Sequence, residues 1–458
     1  MQTAYLATHW NPIYWNTACL IINSGSEEDD VEDGDEDDTT ATKEKQTDYA
    51  KIAKALGEIL SRGIKVSLVD INKSDFSFKP DTENNEILFG MKALSYINSE
   101  HIDKIKCGRP YKTFKDFLIR CPLPKRPMFS LIKSGAFDKL EENWARELNI
   151  DPRILIMTYY ISTIYGQKDK LTLQNYNSLL KNDLIPAEMD CYKALHSFNK
   201  YLKDYKRVGE YFVFDENCER YYNANFDTDK IEVVNGCICI RRKEWDKIYQ
   251  KTMDGLRDWV KNNQQTLLNN LNLINFRECW NKYAGGTVSA WEMDSLCFYY
   301  HDHELANINA NRYGIVNFSE LPQKPKVDYY FKRNGKDLPV YTIYKIAGTV
   351  LGKNDTRSSI SLLTTDGVVS VKFTKEYYAM FKKRISEPAP DGTKTVKEES
   401  WFTRGTKLLI QGYRKDDTFI SKTYKNTPGH QLYKITEVNG KNIQITHERY
   451  QAEEDINV

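Results

Sequence analysis

The sequence predicts a multidomain protein, mainly α in its N-terminal region, α+β in its middle and all-β in its C-terminal part. Three observations predict this. Apolar residues recur at helical spacing through much of the first 140 residues. Helical and alternating stretches mix over 141–330. From residue 340, period-two alternation takes over. Three strands, a helix and two further strands then follow one another, the order of an OB-type barrel. A chain of 458 residues leaves room for about two to four domains, each with its own core.

Taken in order, residues 1–24 are aromatic and apolar, broken at His9-Trp10-Asn11-Pro12 into the ends of two short helices. These helices cannot bury themselves alone, so something must cover Trp10, Tyr14 and Trp15. Residues 25–47 are an acidic, low-complexity insert of a kind that stays solvated. Residues 48–62 carry an amphipathic stripe of Ile52, Ala55, Leu56, Ile59 and Leu60, closed by Gly63 at a C-cap position. Ile64–Val69 and Ile87–Gly90 read as short strands. Residues 91–140 read as short helices with turns. Helical patterns at 151–165, 186–206 and 243–283 flank strand-rich residues 208–240. Pro322, Pro325 and Pro339 among charges predict a linker over 320–339. In the barrel, Gly348 and Gly412 sit where a coiled strand bends. The predicted boundaries are 1–80 with the insert at 25–47, then 81–140, 141–330 and 340–450.

The formal charge of +1 hides an asymmetry. Residues 27–38 hold ten acids, and setting them aside leaves the remainder at +11. Residues 101–139 hold ten Lys and Arg against three Asp, and residues 340–449 hold nineteen against eleven acids. Basic regions of this kind suit phosphate contact. The nine cysteines show no pairing rhythm. Cys237 and Cys239 lack the second pair that a zinc site needs, so reduced and mostly buried thiols are expected. No apolar run is long enough to span a bilayer, and the N-terminus does not read as a secretory signal. A cytoplasmic protein with no membrane partner is expected.

Six stretches carry a resemblance: Gln2–Pro12, Arg62–Val66 followed by Asp70-Ile71-Asn72, Ile87–Leu94, Tyr111–Phe117, Leu131–Asp138 and Trp291–Leu305. In this order they resemble the end of the fingers, the helix-hairpin-helix region and the lead into the OB domain of the bacterial DNA polymerase III alpha subunit, the C-family replicative DNA polymerase. Residues 139–284 align with the family only by position. Two departures stand out. The family's hairpin carries a Gly-x-Gly turn whose amides meet a phosphate, whereas this chain has Leu94-Ser95-Tyr96-Ile97-Asn98. The family's Ser-Gly-His-Pro becomes His301-Asp302-His303-Glu304, a structural lead-in rather than a metal site.

The resemblance implies a role in DNA replication. The family's palm holds two metal ions with three aspartates that lie upstream of these residues. The chain begins at Met1 at a point internal to the family. The expectation is therefore a split DNA-directed DNA polymerase, a nucleotidyltransferase assembly. Palm, thumb and most of the fingers would sit on a separate chain, with Mg2+ at that chain's palm and no catalytic residue, metal or cofactor here. Duplex phosphates would meet Lys104, Lys106, Arg109, Lys112, Lys125 and Arg126. Single-stranded template would meet Lys345, Arg357, Lys372, Phe373, Tyr413, Arg414, Lys415, Phe419 and Lys422 on the barrel. Trp10, Tyr14 and Trp15 would form the interface with the separate chain. Gln174–Leu180 is a weak match to the family's sliding-clamp peptide. Two other readings stay open: a free-standing OB-fold nucleic-acid-binding protein without a polymerase partner, and an enzyme with its own site in 141–284.

Overall fold

A computed structural model describes residues 11–24, 49–171, 181–333, 335–388 and 394–450, with Tyr5 and Leu179. Trp10, the acidic insert and the clamp-like peptide apart from Leu179 lie outside the described residues. The chain divides into two compact units, one of Met1–Met157 with Gly286–Val458 and the other Thr158–Gly285.

In the first unit, helix α1 (Pro12–Asn23) starts where Asn11 accepts the Ile13 amide and proline takes the first turn. Helix α2 (Tyr49–Ser61) buries Ile52, Ala53, Leu56 and Ile59. It ends at Gly63, whose φ of 76° lets the Ile64 amide turn back to the Ile59 carbonyl. Strands β1 (Lys65–Ser67), β2 (Lys79–Asp81) and β3 (Glu86–Leu88) form a small sheet in the order β1-β3-β2. A 3-10 turn, Met91–Ala93, then leads through residues 94–98 into α3 (Ser99–Cys107), followed by α4 (Phe114–Arg120) and α5 (Lys125–Lys133). Tyr111, Phe114, Phe117 and Phe137 pack edge-on at centroid distances of 4.8–4.9 Å, a favoured aromatic geometry. Helices α6 (Glu142–Leu148) and α7 (Pro152–Tyr159) follow.

The second unit gathers α8 (Asp190–Tyr205), β4 (Arg207–Val208), β5 (Tyr211–Val213), α9 (Glu216–Asn225), β6 (Ile231–Val234) and β7 (Cys237–Arg241). Helices α10 (Arg242–Thr252), α11 (Asp254–Asn262) and α12 (Gln264–Tyr283) close it. Its strands pair in the order β4-β5-β7-β6, and its core centres on Trp245, Tyr222, Phe198 and Phe212.

The chain returns to the first unit through α13 (Val288–Leu296) and the short α14 (Ala310–Tyr313). Where a linker was expected, β8 (Val327–Arg333) and β9 (Lys336–Tyr341) pair as a two-stranded ribbon. Gly335, at a φ of 75°, supplies the turn, and Pro339 sits on a strand with no third neighbour, so its missing amide costs no ladder bond.

The barrel is β10 (Tyr344–Asn354), β11 (Ser359–Thr364), β12 (Gly367–Lys372), α15 (Lys375–Lys382), β13 (Ile385–Pro388), β14 (Lys394–Glu398), β15 (Lys407–Lys415) and β16 (Thr418–Ser421). Five of these strands close a ring, β10-β11-β12-β16-β15 and back to β10, in which β12 and β16 run parallel and the other pairs antiparallel. Strand order, closure and the helix after the third strand are those of an OB-type barrel. Two further strands, β17 (Leu432–Asn439) and β18 (Asn442–Thr446), extend from β15. The predicted glycines fall at the bends. Thr349 pairs with both Leu363 and Lys407, and Gly412 with both Tyr344 and Ser421. A Cβ at Gly348 would lie 2.4 Å from the Leu363 carbonyl oxygen, and one at Gly412 2.1 Å from that of Ile420.

None of the nine cysteines is in a disulfide, but only Cys121, Cys218, Cys239 and Cys297 are buried. The expectation of mostly buried thiols is therefore corrected. Burial in β7 begins only at its third residue, Cys239, and Cys237 at its start is exposed. Among the described residues, no helix is long and apolar enough to cross a membrane.

Candidate nucleic-acid interface

The hairpin turn before α3 lacks glycine but keeps a glycine-like backbone. Tyr96 has a φ of 64°, a left-handed conformation that ordinary side chains adopt at a cost of about 1 kcal/mol or more. Its surroundings hold it there. The buried Ser95 donates its amide to the Ser295 carbonyl of α13, and its own carbonyl accepts from the Ser130 hydroxyl of α5. On the far side Asn98 accepts the His101 amide at 2.9 Å, and the Asn98 amide donates to His101 Nδ1, a reciprocal cap. Glu100 sits in the same first turn, its carboxyl held below the usual range by Lys104, so this helix end is already supplied with negative charge. What the turn presents to solvent is the Tyr96 ring, with the Arg126 guanidinium 5.7 Å from its centroid.

Two of the six basic residues expected on duplex phosphates are already paired: Lys104 with Glu100 and Lys106 with Asp75, each at 2.6 Å. Arg109 needs a correction. It is half-buried and donates from Nε to the Ile71 carbonyl at 2.7 Å and from Nη2 to the Ser74 carbonyl at 2.5 Å. It therefore locks the 70–75 turn from inside. Asn72 completes this lock by exchanging side-chain hydrogen bonds of 2.8 Å with the Tyr111 backbone. Lys112, Lys125 and Arg126 remain exposed, with Lys125 and Arg126 opening α5.

Behind this surface lies a buried charged junction that the sequence reading did not single out. Glu292 is fully buried in α13. Its Oε1 accepts from Arg153 Nη1 at 2.8 Å and His301 Nδ1 at 2.6 Å, and its Oε2 from the amides of Tyr300 and His301. Arg153 also donates from Nε to Asp138 at 3.0 Å. One cation thus faces two carboxylates. Glu292 has four donors, whereas Asp138 leaves Oδ1 unbonded, and burial, opposed by Arg153, pushes Asp138 up to about 6. A glutamate on the apolar stripe of α13, beside Trp291, Met293 and Leu296, was the available signal. His303 is a lock of another kind. Its Nε2 donates to the Leu363 carbonyl and its Nδ1 accepts the Leu305 amide, both at 3.0 Å. Burial lowers it to about 4, so it is neutral. Both ring nitrogens are occupied, and neighbouring Glu304 instead meets Lys407 and Tyr299.

On the barrel the expected residues separate. Arg357 lies in the turn joining β10 to β11, Lys372 ends β12, and Lys415 opens the turn joining β15 to β16; all three are exposed. Those two turns and the second and third strands are where OB-type barrels take oligonucleotides. Phe373 and Phe419 are corrected: both are core residues, Phe419 on an inward position of β16 and Phe373 just past the end of β12, and neither offers a ring to a base. Arg414 is corrected as well. Its guanidinium lies 4.4 Å from the Phe318 ring and donates to the carbonyls of Phe318, Leu321 and Asp416, tying residues 318–321 to the barrel. Lys345 is half-buried, and its carbonyl accepts the Val316 amide. Tyr413 gains two partners that the sequence reading missed. Its ring lies 4.7 Å from that of Tyr341, whose amide donates to Tyr424 Oη, and Lys422 stands 5.9 Å from the Tyr424 ring.

Residues 63–146 match a helix-hairpin-helix motif. The chain is 37% identical over 438 residues, 93% of its length, to a "Probable DNA polymerase YorL" of Bacillus subtilis (strain 168), and equally to a "DNA-directed DNA polymerase" of Bacillus phage SPbeta. It is also 32% identical over 158 residues, a third of its length, to the DNA polymerase III subunit alpha of Thermus aquaticus. This chain is a relative of DNA polymerase III alpha. It spans 32% of the length of the Bacillus and phage polymerases and 11% of the Thermus subunit.

Proposed function

We propose that this chain grips DNA for a replicative polymerase of the DNA polymerase III alpha kind, as its C-terminal portion, with the metal-binding palm on a separate chain. Duplex phosphates meet Lys112, Lys125 and Arg126 beside the hairpin, and single-stranded template crosses the barrel past Arg357, Lys372 and Lys415. Phosphate contacts of this sort hold register without reading sequence. The observation that carries this reading is the polymerase relationship over 93% of the chain, which takes in both the hairpin match and the closed barrel. The open face of α1 supports the separate chain. Tyr14 and Trp15 are 51% and 44% exposed while Ile13, Asn16, Thr17 and Leu20 face inward. Mg2+ would bind at the palm, and the assembly would be cytoplasmic.

Purification from the host by an affinity tag, followed by primer extension, tests it. Recovery of a polymerase chain whose processivity depends on this one is the expected result. DNA binding that persists with no polymerase chain recovered would favour the free-standing nucleic-acid-binding protein, and absence of DNA binding would end both readings.

A further inference from the structure

We propose that the ribbon β8–β9 is a single-strand stacking finger that continues the barrel's DNA track; this rests on the reading of the barrel as a template-binding module. The ribbon leaves the barrel as two strands with no third among the described residues, and its middle carries three consecutive aromatic residues. Tyr329, Tyr330 and Phe331 are 45%, 63% and 40% exposed. In the observed register Tyr329 faces Val340 and Phe331 faces Leu338, so these four side chains share one face. Val340 is buried at the root of that face, and the two rings beyond it stand open. Tyr330 points to the other face, opposite Pro339.

Two observations choose the occupant. The first is charge. Lys324, Lys326, Lys332 and Lys336 are exposed, and none makes an ion pair with a described residue, in contrast to Lys104 and Lys106. Aromatic rings interleaved with unpaired lysines fit a polyanion whose units carry π-faces, namely single-stranded nucleic acid. The second is continuity. The root of the ribbon is pinned to the barrel at the β15–β16 turn by the Asp416 amide on the Gln323 carbonyl, and the Thr342 amide on the Lys326 carbonyl closes the ribbon's own base. The last residue of β9, Tyr341, is itself the ring that lies against Tyr413. The rings of Tyr424, Tyr413 and Tyr341 therefore lead from the barrel surface to the start of the ribbon, with Lys422 beside them. A strand crossing the barrel past Lys415 would meet the ribbon next.

The test uses the full chain and fluorescein-labelled oligo(dT), with a blunt duplex of equal length as the control. Replacing Tyr329, Tyr330 and Phe331 together by alanine should weaken oligo(dT) binding by roughly tenfold to a hundredfold and leave duplex affinity unchanged. A second variant, Tyr330→Trp, should show its added emission quenched on titration with oligo(dT) and restored by salt. Wild-type affinity for oligo(dT) in the alanine variant, or no quenching in the tryptophan variant, would overturn the finger while leaving the barrel reading intact. Failure of the unmodified chain to bind oligo(dT) at all would remove both. Loss of affinity for duplex and single strand alike would also count against the finger, since it would mark a general defect or a protein-docking surface.

Discussion

His303 is neutral because its two nitrogens are committed in opposite senses, one donating and one accepting, inside a buried site. Its folded value of about 4 lies below the ordinary 6.5. A depressed value stabilises the fold above the ordinary value, and that contribution is lost as pH falls from about 6.5 towards 4. The loss amounts to roughly 3 kcal/mol across that window. Thermal melts from pH 7 to 4 should fall less steeply in a His303→Gln variant than in the parent. Asp138 has the reverse sign. Its value is raised, so its contribution is complete below about 4 and declines as pH rises through about 6. Glu292 is a costly member of the junction to remove. Glu292→Ala leaves the buried Arg153 guanidinium with Asp138 alone and should cost about 3–5 kcal/mol in chemical denaturation. A parallel Lys104→Ala change, which breaks only an exposed pair, should cost less than about 1 kcal/mol.

At the level of elements, the barrel depends on two residues that have no side chain. Alanine at Gly348 or Gly412 would place a carbon 2.4 or 2.1 Å from a carbonyl oxygen of the neighbouring strand, well inside contact distance. Each variant should lose at least about 2 kcal/mol or fail to close the ring, read as a lowered melting temperature and lost ladder protection in hydrogen exchange. These bends were legible in advance because a glycine inside a long alternating strand weakens it, and so marks a bend or a close backbone approach. The hairpin turn was half-legible. Absence of glycine correctly marked it as unusual, but the left-handed backbone at Tyr96 is imposed by Ser95 bonding to α5 and α13, and α13 is far away in sequence. The 320–339 segment was misread for a related reason. Prolines and charges look like a linker until two strands pair, and pairing in a ribbon tolerates both. On the barrel, Phe373, Phe419 and Arg414 could not be separated from Tyr413 and Lys415, since basic and aromatic residues alternate on both sides of a strand. Only the sense of each strand decides which face sees solvent.

For the whole molecule, affinity for duplex DNA should be governed by released counterions. Each of Lys112, Lys125 and Arg126, if it meets a phosphate, should reduce the slope of log affinity against log salt by about 1 when changed to alanine. Arg109→Ala should instead lower thermal stability, because its bonds are internal. Fluorescence anisotropy over a salt series, with melting curves on the same proteins, separates the two behaviours. An unchanged slope in the triple alanine variant would place the duplex contacts elsewhere. Changes in periodicity can be read along the chain because they need no long-range information. The Arg153–Glu292 junction cannot, because its partners belong to segments separated by a whole folded unit.

That junction bears on how the chain can be edited. Arg153 and Glu292 are 2.8 Å apart, so the polypeptide departs at Met157 and comes back at Gly286 only a few residues from one shared clasp. Thr158–Gly285 is thus spliced into a single body, in the manner of an inserted module whose two ends need no long bridge. Replacing it with a short flexible tether should yield a smaller protein that still folds, with hairpin and barrel in place.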